Sequence, residues 1–395
     1  MDYRISERMK NARGSIIRDL LKLANEPGMI SLGGGSPAPS TFPSADIARI
    51  AGDIYASNPA AMLKYSESEG YAPLRQTMKE FFAQRENITF DDNELFILSG
   101  GQQCADLTSK VLVNEGDTVI TEEPSFVGCM NAFRSYGAKL HGVPMEEDGV
   151  NIQKLEKAFG QENISFFYII PTFQNPTGTT TSLKKREQIY ALAQEYGVLI
   201  FEDNPYGELR FEGEWIPPIK SMDRDGRVIY AGSFSKTMAP GFRLAPIVMP
   251  KGLADRFKVA KQASDVHTGT LYQYITNEFL HHSDYDQHIA SARSLYKQKC
   301  GVMLEEIRKA FHPAVTSTHP QGGLFVMLVF PQGFDTLPFV REGIKRKVIS
   351  VPGSAFMPDP DQPCNLVRLN YSLPSEEQII QGIRILGKLS YEMLG

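Results

Sequence analysis

Cysteine is scarce in this chain: Cys104, Cys129, Cys300 and Cys364 are the only four in 395 residues. They are too few and too scattered for a disulfide framework and include no Cys-x-x-Cys clip, so they read as reduced thiols of a cytosolic protein. Of the seven histidines, His281, His282 and His288 fall close together, but without matching thiols or carboxylates, and no metal site is expected. No stretch approaches the ~18 consecutive apolar residues of a membrane span. Ile164 to Ile170, interrupted by Ser165, is among the longest apolar runs and has the length of a buried strand. The amino terminus, MDYRISERMKNARGS, lacks the apolar centre of a secretory signal, and the acids Asp2, Glu7 and Asp19 argue against a mitochondrial presequence. One-signed charge is missing too. Lys and Arg number 41 against 46 Asp and Glu, a net charge of −5, which offers no broad electrostatic footprint for nucleic acid or an anionic membrane. Any basic residue with a function must act locally.

What is present is an ordinary globular composition, 42% hydrophobic and 22% charged, on a chain longer than the ~100–200 residues of a single domain. Two or three cores are expected. Between about residues 70 and 260 short apolar runs alternate with longer amphipathic stretches. Leu95–Leu98, Thr118–Ile120, Phe166–Ile170, Val198–Phe201 and Val228–Ala231 are apolar without a polar face, as in a largely parallel sheet covered on both sides. Polar and glycine-rich clusters follow these runs directly, where ligands bind in open α/β sheets. A long helix is expected over about 285–310. Beyond it, 323–329, 348–351 and 366–370 read as strands of a smaller α+β unit, with which the first ~40 residues are expected to pack.

The strongest chemical signal is Ser233-Phe234-Ser235-Lys236-Thr237-Met238-Ala239-Pro240-Gly241-Phe242-Arg243, two serines, a lysine and an arginine in eleven residues at a strand's end. Lys236 alone would be a solvated surface residue. In this company the arginine fork and hydroxyls suit a phosphate, and the lysine suits a Schiff base with an aldehyde on the same ligand. Phosphate plus aldehyde describes pyridoxal phosphate. Upstream, Asp203 ends a buried strand and can hold a ring nitrogen protonated, with Tyr206 three residues on and Asn175 in Gln174-Asn175-Pro176-Thr177-Gly178 able to reach the ring's 3-hydroxyl. An isolated aspartate there is as often a cap or turn residue. Ser99-Gly100-Gly101-Gln102 opens a helix whose first amides favour an anion, although a plain strand–helix turn reads the same way. Neither a Walker loop nor a Gly-x-Gly-x-x-Gly fingerprint is present there.

Together these pieces, in this order, resemble the fold-type I pyridoxal phosphate aminotransferases of class I/II, and among them the 2-aminoadipate/kynurenine aminotransferase-like subgroup. The resemblance runs from Ile17-Arg18-Asp19 to Arg368-Leu369-Asn370-Tyr371-Ser372. It implies an α/β fold in which a large domain (44–285), with a mostly parallel seven-stranded sheet between helices, is joined by a small α+β domain from 1–43 and 286–395. It implies Lys236 as Schiff-base lysine and acid/base, Asp203 on the pyridine nitrogen, and Tyr206 and Asn175 on the 3-oxygen. Gly100, Gly101, Gln102, Ser233, Ser235 and Arg243 would hold the phosphate, and Phe126 would stack on the ring where many relatives carry tyrosine. Arg368 would fork onto the substrate α-carboxylate, helped by Asn175, Gly34 and Gly35. Tyr65 would reach the phosphate of a neighbouring subunit, making an obligate homodimer with shared active sites. Arg18 would read a distal carboxylate; its alternative is a solvated helix residue. Departures at Leu244-Ala245-Pro246 and Gly35-Ser36-Pro37 are expected to tune pocket shape.

The implied reaction moves the amino group of an L-amino acid (glutamate, 2-aminoadipate, aromatic or branched-chain) to a 2-oxo acid such as 2-oxoglutarate. Two alternatives stand beside it: a carbon–sulfur β-lyase on the same scaffold, and a MocR-like ligand-sensing module. The second normally carries an amino-terminal DNA-binding domain, for which motifs beginning within the first 40 residues leave no room.

Overall fold

The computed structural model describes residues 3–10, 23–24 and 26–395. After β1 (Ile30–Ser31), eight strands join into one sheet: β2 (Asn93–Leu98), β3 (Thr118–Glu123), β4 (Lys139–Glu146), β5 (Gly149–Val150), β6 (Ile164–Ile169), β7 (Ile200–Asp203), β8 (Val228–Ala231) and β9 (Ala245–Pro250). Their spatial order is β2-β9-β8-β7-β6-β3-β4-β5. The chain thus has the mixed, mostly parallel α/β sheet that the resemblance implies. The eighth strand, beyond the seven expected, is β5, two residues that turn back on the edge strand β4 through the pairs Met145–Val150 and Glu146–Gly149. β3, β4, β6, β7 and β8 pair in parallel, whereas β9 runs antiparallel to both β2 and β8.

The apolar runs are buried as expected because helices cover both faces. On β6, Phe167 and Ile169 point to the core beneath helices Ile152–Phe159 and Leu183–Tyr196. Phe166 and Tyr168 point to the opposite core, which continues into the carboxyl-terminal part of the chain. Sequence reading passed over β4 and β9. Gly142 and Pro144 interrupt the first, and β9 carries Pro246 and Pro250, which do not suggest a central strand.

The long helix is Tyr285–Ala310, capped by the Asp284 side chain accepting from the Gln287 amide. Beyond it β10 (Thr316–Ser317), β11 (Phe325–Val329), β13 (Val351–Pro352) and β14 (Leu366–Asn370) form an antiparallel sheet in the order β10-β11-β14-β13. The expected strand 348–351 is split into β12 (Val348–Ile349) and β13, because β12 leaves that sheet to pair with β1. The Ile30–Val348 and Ser31–Ile349 pairs tie the amino-terminal segment to the carboxyl-terminal unit. The expected amphipathic segment Ile16–Leu23 falls almost entirely outside the described residues. No described helix is long and apolar enough to cross a membrane.

Candidate active site

The polar clusters that follow β2, β6, β7 and β8 converge on one cleft because these strands run in the same direction and end on the same side. At one end lies an anion cup. Gly100 takes φ +88°, and helix Gly101–Leu112 starts there without a side-chain cap, so its first amides have no intrahelical acceptor. A Cβ on Gly100 would strike the Arg243 guanidinium, which places that arginine against the helix start. Arg243 has no carboxylate partner among the described residues; its one hydrogen bond is a long one of 3.5 Å to the Pro240 carbonyl. Ser233 and Ser235 stand beside it, the Ser235 amide donating to Ser233 Oγ at 3.1 Å. Gln102 donates to the Gly128 carbonyl at 2.8 Å, and Gly128 also packs under the half-buried Phe126 ring.

At the floor of the cleft Asp203, at the end of β7, is buried and accepts from the Tyr168 hydroxyl at 2.8 Å and the Cys129 thiol at 3.9 Å. Burial pushes its carboxyl up to about 6, against the pull of these donors and of Lys236. Tyr206 is buried, its phenol raised by burial, with Asn175 in hydrogen-bond contact. Lys236 Nζ donates to the Gly35 carbonyl at 2.8 Å. Burial, then the nearby cations Arg368 and Arg243, lower its amine to about 8.

Arg368 on β14 closes the other end. It is only 2% exposed and donates to Asn175 Oδ1 at 3.0 Å, Gly33 O at 2.7 Å and Gly34 O at 3.3 Å. Its guanidinium lies between the Phe325 and Phe356 rings, 4.4 and 4.8 Å from their centroids. No carboxylate among the described residues pairs with it, its Nε has no hydrogen-bond partner, and burial lowers it to about 10. A buried arginine in that condition is costly unless an anion joins it.

The cleft therefore brings together every sequence-selected residue except two. Tyr65 is 88% exposed, its ring edge-on to His267 at 5.8 Å and away from the cluster. Arg18 lies outside the described residues. Sequence reading missed Tyr168 and Cys129 beneath Asp203, although a phenol inside the apolar run of β6 signals a buried hydroxyl that needs a partner. It also missed Lys261, whose amine is fully buried and donates to Gln103 Oε1 (2.7 Å), Thr268 Oγ1 (2.8 Å) and Ser99 Oγ (3.3 Å) and pairs with Asp265 (2.7 Å), bracing the loop before the anion cup. Nothing in the sequence around 261 announces that role.

Residues 28–386 match the family described as aminotransferase class I and II. The chain belongs to that family. Within it the chain falls in the subgroup of the 2-aminoadipate and kynurenine aminotransferases. It is 36% identical to the aromatic-amino-acid aminotransferase 1 of Thermococcus litoralis, over 98% of this chain and 94% of that protein. It is 36% identical to the 2-aminoadipate transaminase of Thermus thermophilus, over 95% and 94% of the two chains. The crystal structure of Pyrococcus horikoshii kynurenine aminotransferase, in complex with PMP, superposes with a TM-score of 0.95 at 35% identity, covering 99% of this chain and 98% of that one. The chain is an aminotransferase whose cofactor is pyridoxal phosphate. The cleft suits it: an anion cup with an arginine that has no carboxylate partner among the described residues, a lysine amine, a buried carboxylate at the floor, and a second arginine, buried and with its Nε unpartnered among those residues.

Proposed function

We propose that this aminotransferase moves the amino group of an L-amino acid to a 2-oxo acid such as 2-oxoglutarate, with Lys236 as the residue that carries the cofactor and the reacting proton. Bound pyridoxal phosphate supplies an electron sink that acidifies the Cα–H bond of an attached amino acid. The chain's residues do the rest. Gly100, Gly101, Gln102, Ser233, Ser235 and Arg243 anchor the phosphate; Phe126 covers the ring; Asp203 keeps the pyridine nitrogen protonated. Tyr206 and Asn175 hold the 3-oxygen. Arg368, with Asn175 and the Gly34–Gly35 backbone, would take the substrate α-carboxylate and turn the Cα–H bond toward Lys236 Nζ, which would accept that proton and deliver it to the carbon that was the cofactor's aldehyde.

The observation that carries this reading is Arg368: buried, with no acid and no Nε partner among the described residues, and in the electrostatic range of the Lys236 amine. An α-carboxylate would complete its hydrogen bonds beside the base. For the donor we propose dicarboxylic amino acids such as glutamate or 2-aminoadipate, with aromatic and branched-chain ones also accepted; Arg18 would read a distal carboxylate. The range of the relatives' names, aromatic amino acids in one and 2-aminoadipate in another, supports a broad choice. We further propose a large domain at 44–285, a small one from 1–43 and 286–395, and a homodimer in which Tyr65 reaches the neighbour's phosphate.

The test is a single-turnover half-reaction of cofactor-loaded protein with an amino-acid panel and no oxo acid. One equivalent of oxo acid per site, with the cofactor left in its amine form, is expected, fastest with dicarboxylic donors. Pyruvate released over many turnovers from cysteine-like substrates would instead make the protein a β-lyase.

A further inference from the structure

Asp203 is held asymmetrically. Both of its donors, the Tyr168 hydroxyl at 2.8 Å and the Cys129 thiol at 3.9 Å, reach the same oxygen, Oδ2. Oδ1 takes no hydrogen bond from any described residue. The arrangement follows from the sheet. Tyr168 on β6 lies opposite Phe201 on β7, and Asp203, two residues on, shares the face of Phe201, so the phenol leans along the sheet to the end of its neighbour. Its ring packs edge-on to Phe133 (5.3 Å) and tilted at 45° to Phe201 (5.5 Å), and it is fully buried. Burial and the nearby carboxylate keep phenol and thiol neutral, so both can only donate to Asp203 while it is ionised.

We propose that Tyr168, assisted by Cys129, is a positioning residue that pins Asp203 Oδ2 and presents Oδ1 to the cofactor's pyridine nitrogen, keeping the shared proton on that nitrogen rather than on the carboxylate. This rests on the role proposed above for Asp203. The physical reason is competition for one proton in a dry site. Desolvation favours a neutral carboxylic acid, and a neutral acid facing an unprotonated ring would remove the electron sink. A donor already seated on Oδ2 stabilises the ionised carboxylate and shifts the proton to the ring. Tyr168→Phe removes only the hydroxyl and leaves the ring packing in place.

The experiment loads wild-type, Tyr168→Phe, Cys129→Ala and Asp203→Asn proteins with pyridoxal phosphate labelled with 15N in the ring and reads the nitrogen's chemical shift against pH, together with cofactor affinity. Wild type is expected to hold a protonated ring nitrogen across neutral pH, and Asp203→Asn to lose it. Tyr168→Phe should move the pH dependence of the carboxylate–pyridine pair by about one pH unit, with a less protonated ring at a given pH and about tenfold weaker cofactor binding, the scale of one lost hydrogen bond to a charged acceptor. Cys129→Ala should act in the same direction and less. If Asp203→Asn leaves the nitrogen signal unchanged, the role of Asp203 fails and this inference with it. If Asp203→Asn behaves as expected and Tyr168→Phe titrates like wild type, the inference about Tyr168 alone is overturned.

Discussion

Lys236 and Arg368 show how burial tunes single residues in this cleft. The Lys236 amine, lowered to about 8 by burial and by the two arginines, is roughly 10% neutral at pH 7, against roughly 0.03% for an ordinary lysine. Only the neutral amine attacks an aldehyde, so capture of pyridoxal phosphate by the cofactor-free protein should slow about tenfold for each pH unit below 8 and level off above it. Stopped-flow absorbance across pH 6–10 measures this, and a rate still climbing at pH 10 would contradict it. Lys236→Ala should retain the phosphate anchors yet lose turnover, by about a thousandfold or more. Arg368→Lys keeps a charge but loses the fork. Steady-state kinetics should show KM for the amino acid rising about a hundredfold, a loss of nearly 3 kcal/mol of bidentate contact, with a smaller change in kcat.

At the scale of elements, the cleft depends on what holds the loops at the strand ends. The turn after β2 exposes the first amides of helix Gly101–Leu112 because Gly100 accepts φ +88° and leaves room for the Arg243 guanidinium. Gly100→Ala meets both obstacles at once. The expected cost is about 1–3 kcal/mol of strain, with cofactor affinity reduced about tenfold or more, read by equilibrium dialysis and thermal melting. Behind that turn Lys261 joins helix Lys251–Asp265 to Ser99 and Gln103. Lys261→Met leaves the partners of its buried amine unsatisfied and should cost about 2–3 kcal/mol. The loss should appear in the melting temperature, and saturating cofactor should raise the melting temperature of both proteins while leaving the difference between them in place.

For the whole molecule, the informative surface is the one around Tyr65. Leu63 and Tyr65 are 79% and 88% exposed and share a groove with His267 and Tyr272. Large apolar side chains so exposed and so close together would suit a surface that another molecule covers. If a second copy covers it and Tyr65 completes the neighbour's anion cup, Tyr65→Ala and Lys236→Ala subunits should complement. A hybrid dimer contains one site with both native residues, so a reassociated equal mixture should recover about a quarter of the native sites. Activity after mixing, compared with each parent alone, checks this; no recovery in a confirmed hybrid would refute the shared site.

The alternation of apolar runs with polar turns, read from sequence alone, determined the α/β class, the positions of β2, β3, β6, β7 and β8, and the long helix, and it singled out the Ser233–Arg243 segment. Those signals are local. A buried strand must be apolar throughout, and a ligand-binding turn must carry its own donors within a few residues. Tertiary structure decided what depends on residues far apart in the chain. The split of β12 from β13 is fixed by pairing with β1, more than 300 positions away in sequence. The Arg368 guanidinium is left without a carboxylate among the described residues only because Gly33, Asn175, Phe325 and Phe356 come round it without bringing an acid. Tyr168 and Cys129 look like core residues in the sequence, and only the parallel pairing of β6 with β7 and the packing of helix Val127–Ser135 turn them into the donors that hold Asp203. Side-chain type states what a residue can donate or accept; the fold decides which partner is within 3 Å, and in a dry cleft that partner sets its charge.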